Sequence, residues 1–205
     1  MRSDYLVMLD ACVLLPMPLS DTLLRMAETP RLYVPKWSDD ILQEVTRNLV
    51  EKWNKTQEQA KRREDALRQH FPEALVLGYE RLIPAMTNDA KDRHVLAAAV
   101  TSGTKLIVTY NSRNFSSESR ELYEVECQGP STFLINLYDL DPGIVVQKLG
   151  EQAQNINFSL EHLLIKLRVN VPGFVAFFAT SRKSNFLRWV SQRIYCPLSK
   201  NFPGG

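Results

Sequence analysis

Three carboxylates stand where a fold can gather them. Asp10 ends the apolar run Tyr5-Leu-Val-Met-Leu9, Glu44 lies within Trp37–Leu49, and Asp92 opens Asp92-Arg-His-Val-Leu-Ala-Ala-Ala99. Two amides, Asn111 and Asn114, follow the run Leu106–Thr109. Each has an ordinary explanation. Asp and Asn end strands and form turns. An acid in the first turn of a helix, which describes Asp89 as well as Asp92, answers the helix dipole. Glu44 has Arg47 within reach for an ion pair. Taken together, these side chains fall at strand ends and helix starts that a parallel sheet brings to one rim, and open α/β sheets bind ligands at that rim. Gathered carboxylates repel one another, and a divalent cation relieves the repulsion. An all-oxygen set of this kind suits Mg²⁺ or Mn²⁺ rather than zinc.

The elements that would position them can be read from local pattern. Tyr5–Leu9 and Leu106–Thr109 are continuous apolar runs, expected of strands buried on both faces. Leu32–Val34, Ala74–Tyr79 and Glu124–Cys127 read as further strands. Ser20–Glu28 has helical spacing. Ser38, followed by Asp39 and Asp40, begins a helix running to about Lys52, with a hydroxyl cap and carboxylates in the first turn. On it Ile41, Glu44, Val45 and Asn48 share one face. Lys55–His70 is a second, heavily charged helix. Asp92–Ser102 is an Ala-rich helix stopped by Gly103, and Ser131–Tyr138 a further one. Strands alternating with helices predict an α/β sandwich with a mainly parallel sheet. Beyond, Asp141-Pro142, Ser159 and Pro172 each read as helix starts, and Phe186–Ile194 as a last helix. The expected division is 1–138 and a helical extension, 139–205.

Composition narrows the function classes. With 44% hydrophobic and 23% charged residues in 205, the chain is globular. Three scattered cysteines form no C-x-x-C, and the three histidines have no zinc spacing. No G-x-G-x-x-G or G-x-x-x-x-G-K-[ST] occurs, which disfavours nucleotide folds. Phosphatases of the haloacid dehalogenase type need a second Asp two residues after the first, where this chain has Cys12. No apolar run approaches a membrane span or a signal-peptide core, so a soluble, cytoplasmic protein is expected. Net charge is +2, but residues 182–205 hold five cations and no acid, so the rest leans acidic.

These segments resemble the PIN domain. The resemblance rests on Asp10 after its strand, Glu44 in Trp37-Ser-Asp-Asp-Ile-Leu-Gln-Glu44-Val-Thr-Arg-Asn-Leu49, Asp92 in Asp89-Ala-Lys-Asp92-Arg-His-Val-Leu-Ala-Ala-Ala99, and Ile107-Val-Thr109-Tyr-Asn111-Ser-Arg-Asn114-Phe115. The opening Asp10-Ala-Cys-Val-Leu-Leu-Pro16 and the helical extension look most like the VapC-type ribonuclease toxins. The resemblance covers about residues 4–138. It implies a three-layer α/β/α sandwich and a metal-dependent endoribonuclease, leaving 5′-phosphate and 3′-hydroxyl ends. Asp10, Glu44 and Asp92 would be ligands of Mg²⁺ or Mn²⁺. Asn111 stands where many PIN domains carry a fourth acid, and Asn114 where an acid often appears. Ser38 and Thr109, with Asn114, would orient the ligands. RNA, a cognate antitoxin protein and a homodimer are the implied partners.

An acidic pocket needs cations around it to hold RNA. Arg93 and Arg113 flank the acids in sequence and are the phosphate candidates. Residues 47–68 hold seven basic and four acidic side chains, a composition that also describes a solvated helix face laced with ion pairs. In the tail, Phe186, Trp189, Tyr195 and Phe202 interleave with cations. Such a mixture suits single-stranded RNA or an amphipathic helix packed on the body. The alternative function is a degenerate PIN domain that binds RNA or protein without cleaving.

Overall fold

The structure is a computed structural model that describes residues 4–181. Its strands are β1 Leu6–Leu9, β2 Val34–Ser38, β3 Leu75–Val76, β4 Leu106–Val108 and β5 Glu126–Gln128. All pair in parallel, in the order β3-β2-β1-β4-β5. The helices are α1 Ala11–Leu14, α2 Leu19–Ala27, α3 Asp39–Glu51, α4 Gln57–His70, α5 Arg93–Ser102, α6 Ser117–Glu121, α7 Pro130–Leu140, α8 Pro142–Asn155 and α9 Leu160–Leu167. Residues 172–181 are also helical. The fold is the expected one, a parallel sheet flanked by helices with further helices after it.

β1 and β4 form the middle of the sheet. Val7, Met8, Leu9, Ile107 and Val108 are wholly buried, as the continuous apolar runs require. The chain leaves β1 towards β2 and β3, then crosses back to β4 and continues outward to β5. With right-handed crossovers, that reversal puts helices on both faces. It also opens a crevice between the carboxyl ends of β1 and β4, the switch point where such sheets bind ligands.

Three strand expectations shift. β2 lies at Val34–Ser38 instead of Leu32–Val34 and runs through Pro35. The Val34 amide donates to the Tyr5 carbonyl, so by alternation Pro35 faces the β3 side. There the ladder starts only at Trp37, and the missing N–H costs no ladder bond. β3 is cut to two residues because Gly78, at φ +77°, turns the chain into a 3₁₀ segment over Tyr79–Ala85. β5 starts late because Glu124 sits at φ +53°, outside strand geometry.

Helix starts follow their caps. Ser38, Thr56, Ser116, Asp141 and Ser159 each accept a backbone N–H of their own helix. α8 packs on α2 through buried polar contacts: Gln152 Nε2 donates to the Pro18 carbonyl, Thr22 Oγ1 donates to Gln152 Oε1, and Lys148 Nζ donates to the Thr29 carbonyl. One hydrophobic core runs from Val7 to Phe178. No helix among the described residues is long and apolar enough to cross a membrane. The basic, aromatic tail and the expected helix at 186–194 lie outside the described residues.

Candidate metal and phosphodiester site

The site is built at the β1/β4 switch point. Asp10 directly follows β1, and its amide donates to the Val108 carbonyl at the end of β4. Its side chain is 2% exposed. Oδ2 accepts from Thr109 Oγ1 at 2.6 Å and from Cys12 Sγ at 3.1 Å. Burial first, then the charge of Asp10, pushes the Cys12 thiol up, so Cys12 remains a protonated donor. Thr109 also accepts the Asn111 amide at 2.9 Å. One hydroxyl therefore ties the loop after β4 to the carboxylate after β1.

Asp92 is the N-cap residue of α5, but its side chain makes no cap bond. It turns instead to Asn114, whose Nδ2 donates to Oδ2 at 2.6 Å. The Asn114 carbonyl accepts the Asp89 amide, which fixes the approach to α5 against the loop after β4. Glu44 is half-buried on α3. Asn48, one turn on, donates to its Oε1 at 3.4 Å, and His94 Nε2 stands 4.0 Å from Oε2. At that distance the histidine makes no hydrogen bond, and Nε2 is buried without a hydrogen-bond partner among the described residues.

The charge of Asp10 reaches both of the other acids. The Glu44 carboxyl is raised above its ordinary value by burial and by the charges of Asp10 and Asp92, against the lowering effect of His94 and Arg47. Asp92 is raised by burial and by Asp10, with the Asn114 hydrogen bond opposing. Glu44, Asp92, His94, Asn111 and Asn114 line a cleft of about 650 Å³; Asp10 is buried and is not among its lining residues. Among the described residues no set of three His, Cys, Asp or Glu side chains is closed to metal-ligand spacing. The donor chemistry still fits a hard divalent cation: oxygen ligands whose shared charge already raises the cost of ionisation.

Ser38 caps α3 through the Ile41 amide and does not line the cleft. It acts on Glu44 only through the helix. Arg93 Nε donates to the Asn88 carbonyl, and Arg113 is exposed. Neither lines the cleft, whereas Arg47, Lys52 and Lys91 do. Two of those cations, Arg47 and Lys52, carry a signal in sequence that composition alone hides. Glu44, Arg47, Asn48, Glu51 and Lys52 recur at helical spacing along one side of α3. The remaining cations of the 47–68 run include ion-paired ones: Lys61 with Asp65, Arg62 with Glu58, and Arg68 with Asp39 and Glu64.

The fold is a parallel α/β sheet with acidic side chains gathered at its switch point, and comparison with known proteins names its class. The PIN domain family model matches residues 6–113, just over half of the chain, and the protein belongs to the PIN domain family. It is similar to "Putative ribonuclease VapC50" of Mycobacterium tuberculosis (strain ATCC 25618 / H37Rv), 36% identical over 106 residues, which are 50% of this chain and 63% of that protein. The chain thus spans less than two thirds of the relative's length. No solved structure matches significantly.

Proposed function

We propose that the protein is a divalent-metal-dependent endoribonuclease that hydrolyses single-stranded RNA. The observation carrying this reading is that Glu44 and Asp92 line one cleft, with buried Asp10 near enough for its charge to raise both carboxyls. A pure RNA binder gains nothing from concentrating negative charge where phosphates must lie. Family membership and the name of the mycobacterial relative support the same reading.

Asp10, Glu44 and Asp92 would hold Mg²⁺ or Mn²⁺, which when bound supplies an electrophile for activating water and neutralising charge on the phosphate. The chain's own groups do the rest. Thr109 and Cys12 hold Asp10 to one orientation, and Asn114 holds Asp92. Such outer contacts fix ligand geometry. Glu44 is the least restrained of the three and has a raised pKa, which suits it to accept the proton of the attacking water. Asn111 presents a neutral amide at the cleft wall, able to orient water without adding charge. Arg47, Lys52 and Lys91 supply the cations that the phosphates require.

The VapC resemblance adds an antitoxin protein and a homodimer to the proposal, and assigns 139–205 as an extension to a nuclease body at 1–138. A non-cleaving RNA- or protein-binding module is the second reading, favoured by the amides Asn111 and Asn114. Incubating the protein with mixed RNA, in Mn²⁺ or in chelator, separates the two. The nuclease reading expects fragments with 5′-phosphates in Mn²⁺ alone. Equal RNA integrity in both tubes rejects it.

A further inference from the structure

We infer that the RNA track does not end at the carboxylates but continues over the end of α3 into a second groove, where Trp53 stacks a base and Lys166 takes a phosphate. This rests on the nuclease reading for its occupant. The second groove is lined by Pro16, Met17, Pro18, Trp53, Lys166, Val169 and Asn170.

Two links tie the lining of one groove to that of the other. Lys52 lines the carboxylate cleft and Trp53, the next residue, lines the second groove. Asn111 lines the cleft, and its neighbour Tyr110 donates through its hydroxyl to the carbonyl of Asn170, which lines the second groove. α3 ends at Glu51, and Asn54 at φ +51° turns the chain away. That turn leaves Trp53 at the junction, 43% exposed beside Met17 at 56%. From Glu44 to Lys52 the helix rises roughly 12 Å, so the second groove lies a short stretch of backbone away from the proposed scissile phosphate.

Charge selects the occupant. Among the described residues, no acid lines the second groove and its one charged side chain is Lys166, seated 5.2 Å from the centroid of the Phe158 ring. Arg47 and Lys52, on the path to it, are exposed, and no ion pair among the described residues engages them. The path therefore runs from the acidic cleft, past Arg47, Glu51 and Lys52, to a groove whose charged side chain is a cation and whose indole is open. That order fits a polyanion with one phosphate at the carboxylates and its flanking nucleotides beyond. An aromatic face available to an unpaired base favours a single strand over a duplex, and continuity with the cleft favours RNA over an apolar protein helix.

The test is fluorescence anisotropy of a short labelled oligouridine, titrated with the full chain carrying Asp10→Asn so that binding is read without cleavage. Trp53→Ala in that background is expected to weaken binding roughly 5- to 100-fold, the effect of losing one base–aromatic stack. Trp53→Phe should restore most of the affinity, and Lys166→Glu should weaken binding and flatten its salt dependence. A duplex of the same length should bind Trp53→Ala and its parent equally. RNA quenching of tryptophan emission should drop in Trp53→Phe. Unchanged affinity in both Trp53→Ala and Lys166→Glu overturns the track and leaves the groove to a protein partner. Mn²⁺-dependent cleavage by the wild-type chain reports separately on the nuclease reading, so the two failures are distinguishable.

Discussion

Asp10 is the most firmly held of the three acids, with two donors on one oxygen and almost no exposure. Asp10→Asn keeps the size and can keep the Thr109 bond, so the fold should survive while RNA cleavage falls to background. Circular dichroism and a gel assay in Mn²⁺ check both halves. Asn114→Ala frees Asp92 without removing it, and cleavage should drop about 10- to 100-fold, the usual cost of losing a ligand's supporting contact. An unchanged rate would show that Asp92 needs no orientation. At this scale the sequence was informative wherever a residue sat at a strand end, as Asp10 and Thr109 do. Asn48, His94 and Lys91 were not assigned to the site, because an amide, an imidazole or an ammonium on or just before a helix has many ordinary uses. Only the packing of α3 near α5 decides which of them reach the cleft.

α3 is the element on which most of the site depends. It carries the Ser38 cap, Glu44 and Asn48 on one side, and Arg47 and Lys52 along the cleft. Ser38 is wholly buried and accepts the Ile41 amide. Ser38→Ala should therefore cost about 1 kcal/mol of stability, with the upper end near 2, read as a shift of the urea midpoint at constant slope. A midpoint unchanged by the substitution would remove the cap from the account. Helix identity was legible from caps and spacing: α3, α5, α8 and α9 start where hydroxyls, acids or prolines predict. Strand limits were less so. Pro35 reads as a strand breaker, yet it is accommodated because its nitrogen faces a stretch of β2 that β3 does not reach. That fact belongs to the sheet, not to the segment. Gly78 and Glu124 likewise set strand limits through positive φ, which neighbouring residues do not reveal.

Across the whole molecule, the carboxylate cluster opposes stability until something neutralises it. Glu44 and Asp92 have folded-state pKa values raised by burial and by neighbouring acids, so in that window the folded state binds more protons than the unfolded one. Their contribution to stability therefore falls as pH rises from the ordinary carboxylate range through the raised values, and returns as pH is lowered. Without metal, melting temperature should respond to these two groups by rising as pH falls from neutral into that window. Glu44→Gln should flatten the response. Mn²⁺ should raise the melting temperature at neutral pH, by about 2.7 kcal/mol of stabilisation at a hundredfold excess over Kd. The increment should shrink in acid as protons compete for the same oxygens. The helices after residue 139 belong to the same balance, since Gln152 satisfies both Thr22 and the Pro18 carbonyl. Gln152→Ala should cost about 1–3 kcal/mol while unfolding remains one transition.

The most direct test is a Mn²⁺ titration followed by electron paramagnetic resonance at neutral pH, on the wild-type chain and on Asp10→Asn, Glu44→Gln and Asp92→Asn. Saturable loss of the free-ion signal in the wild type, weakened in every one of the three variants while their circular dichroism is unchanged, is the predicted result. Equal Mn²⁺ uptake by all four proteins, or none by the wild type, would contradict a shared site built from side chains at positions 10, 44 and 92.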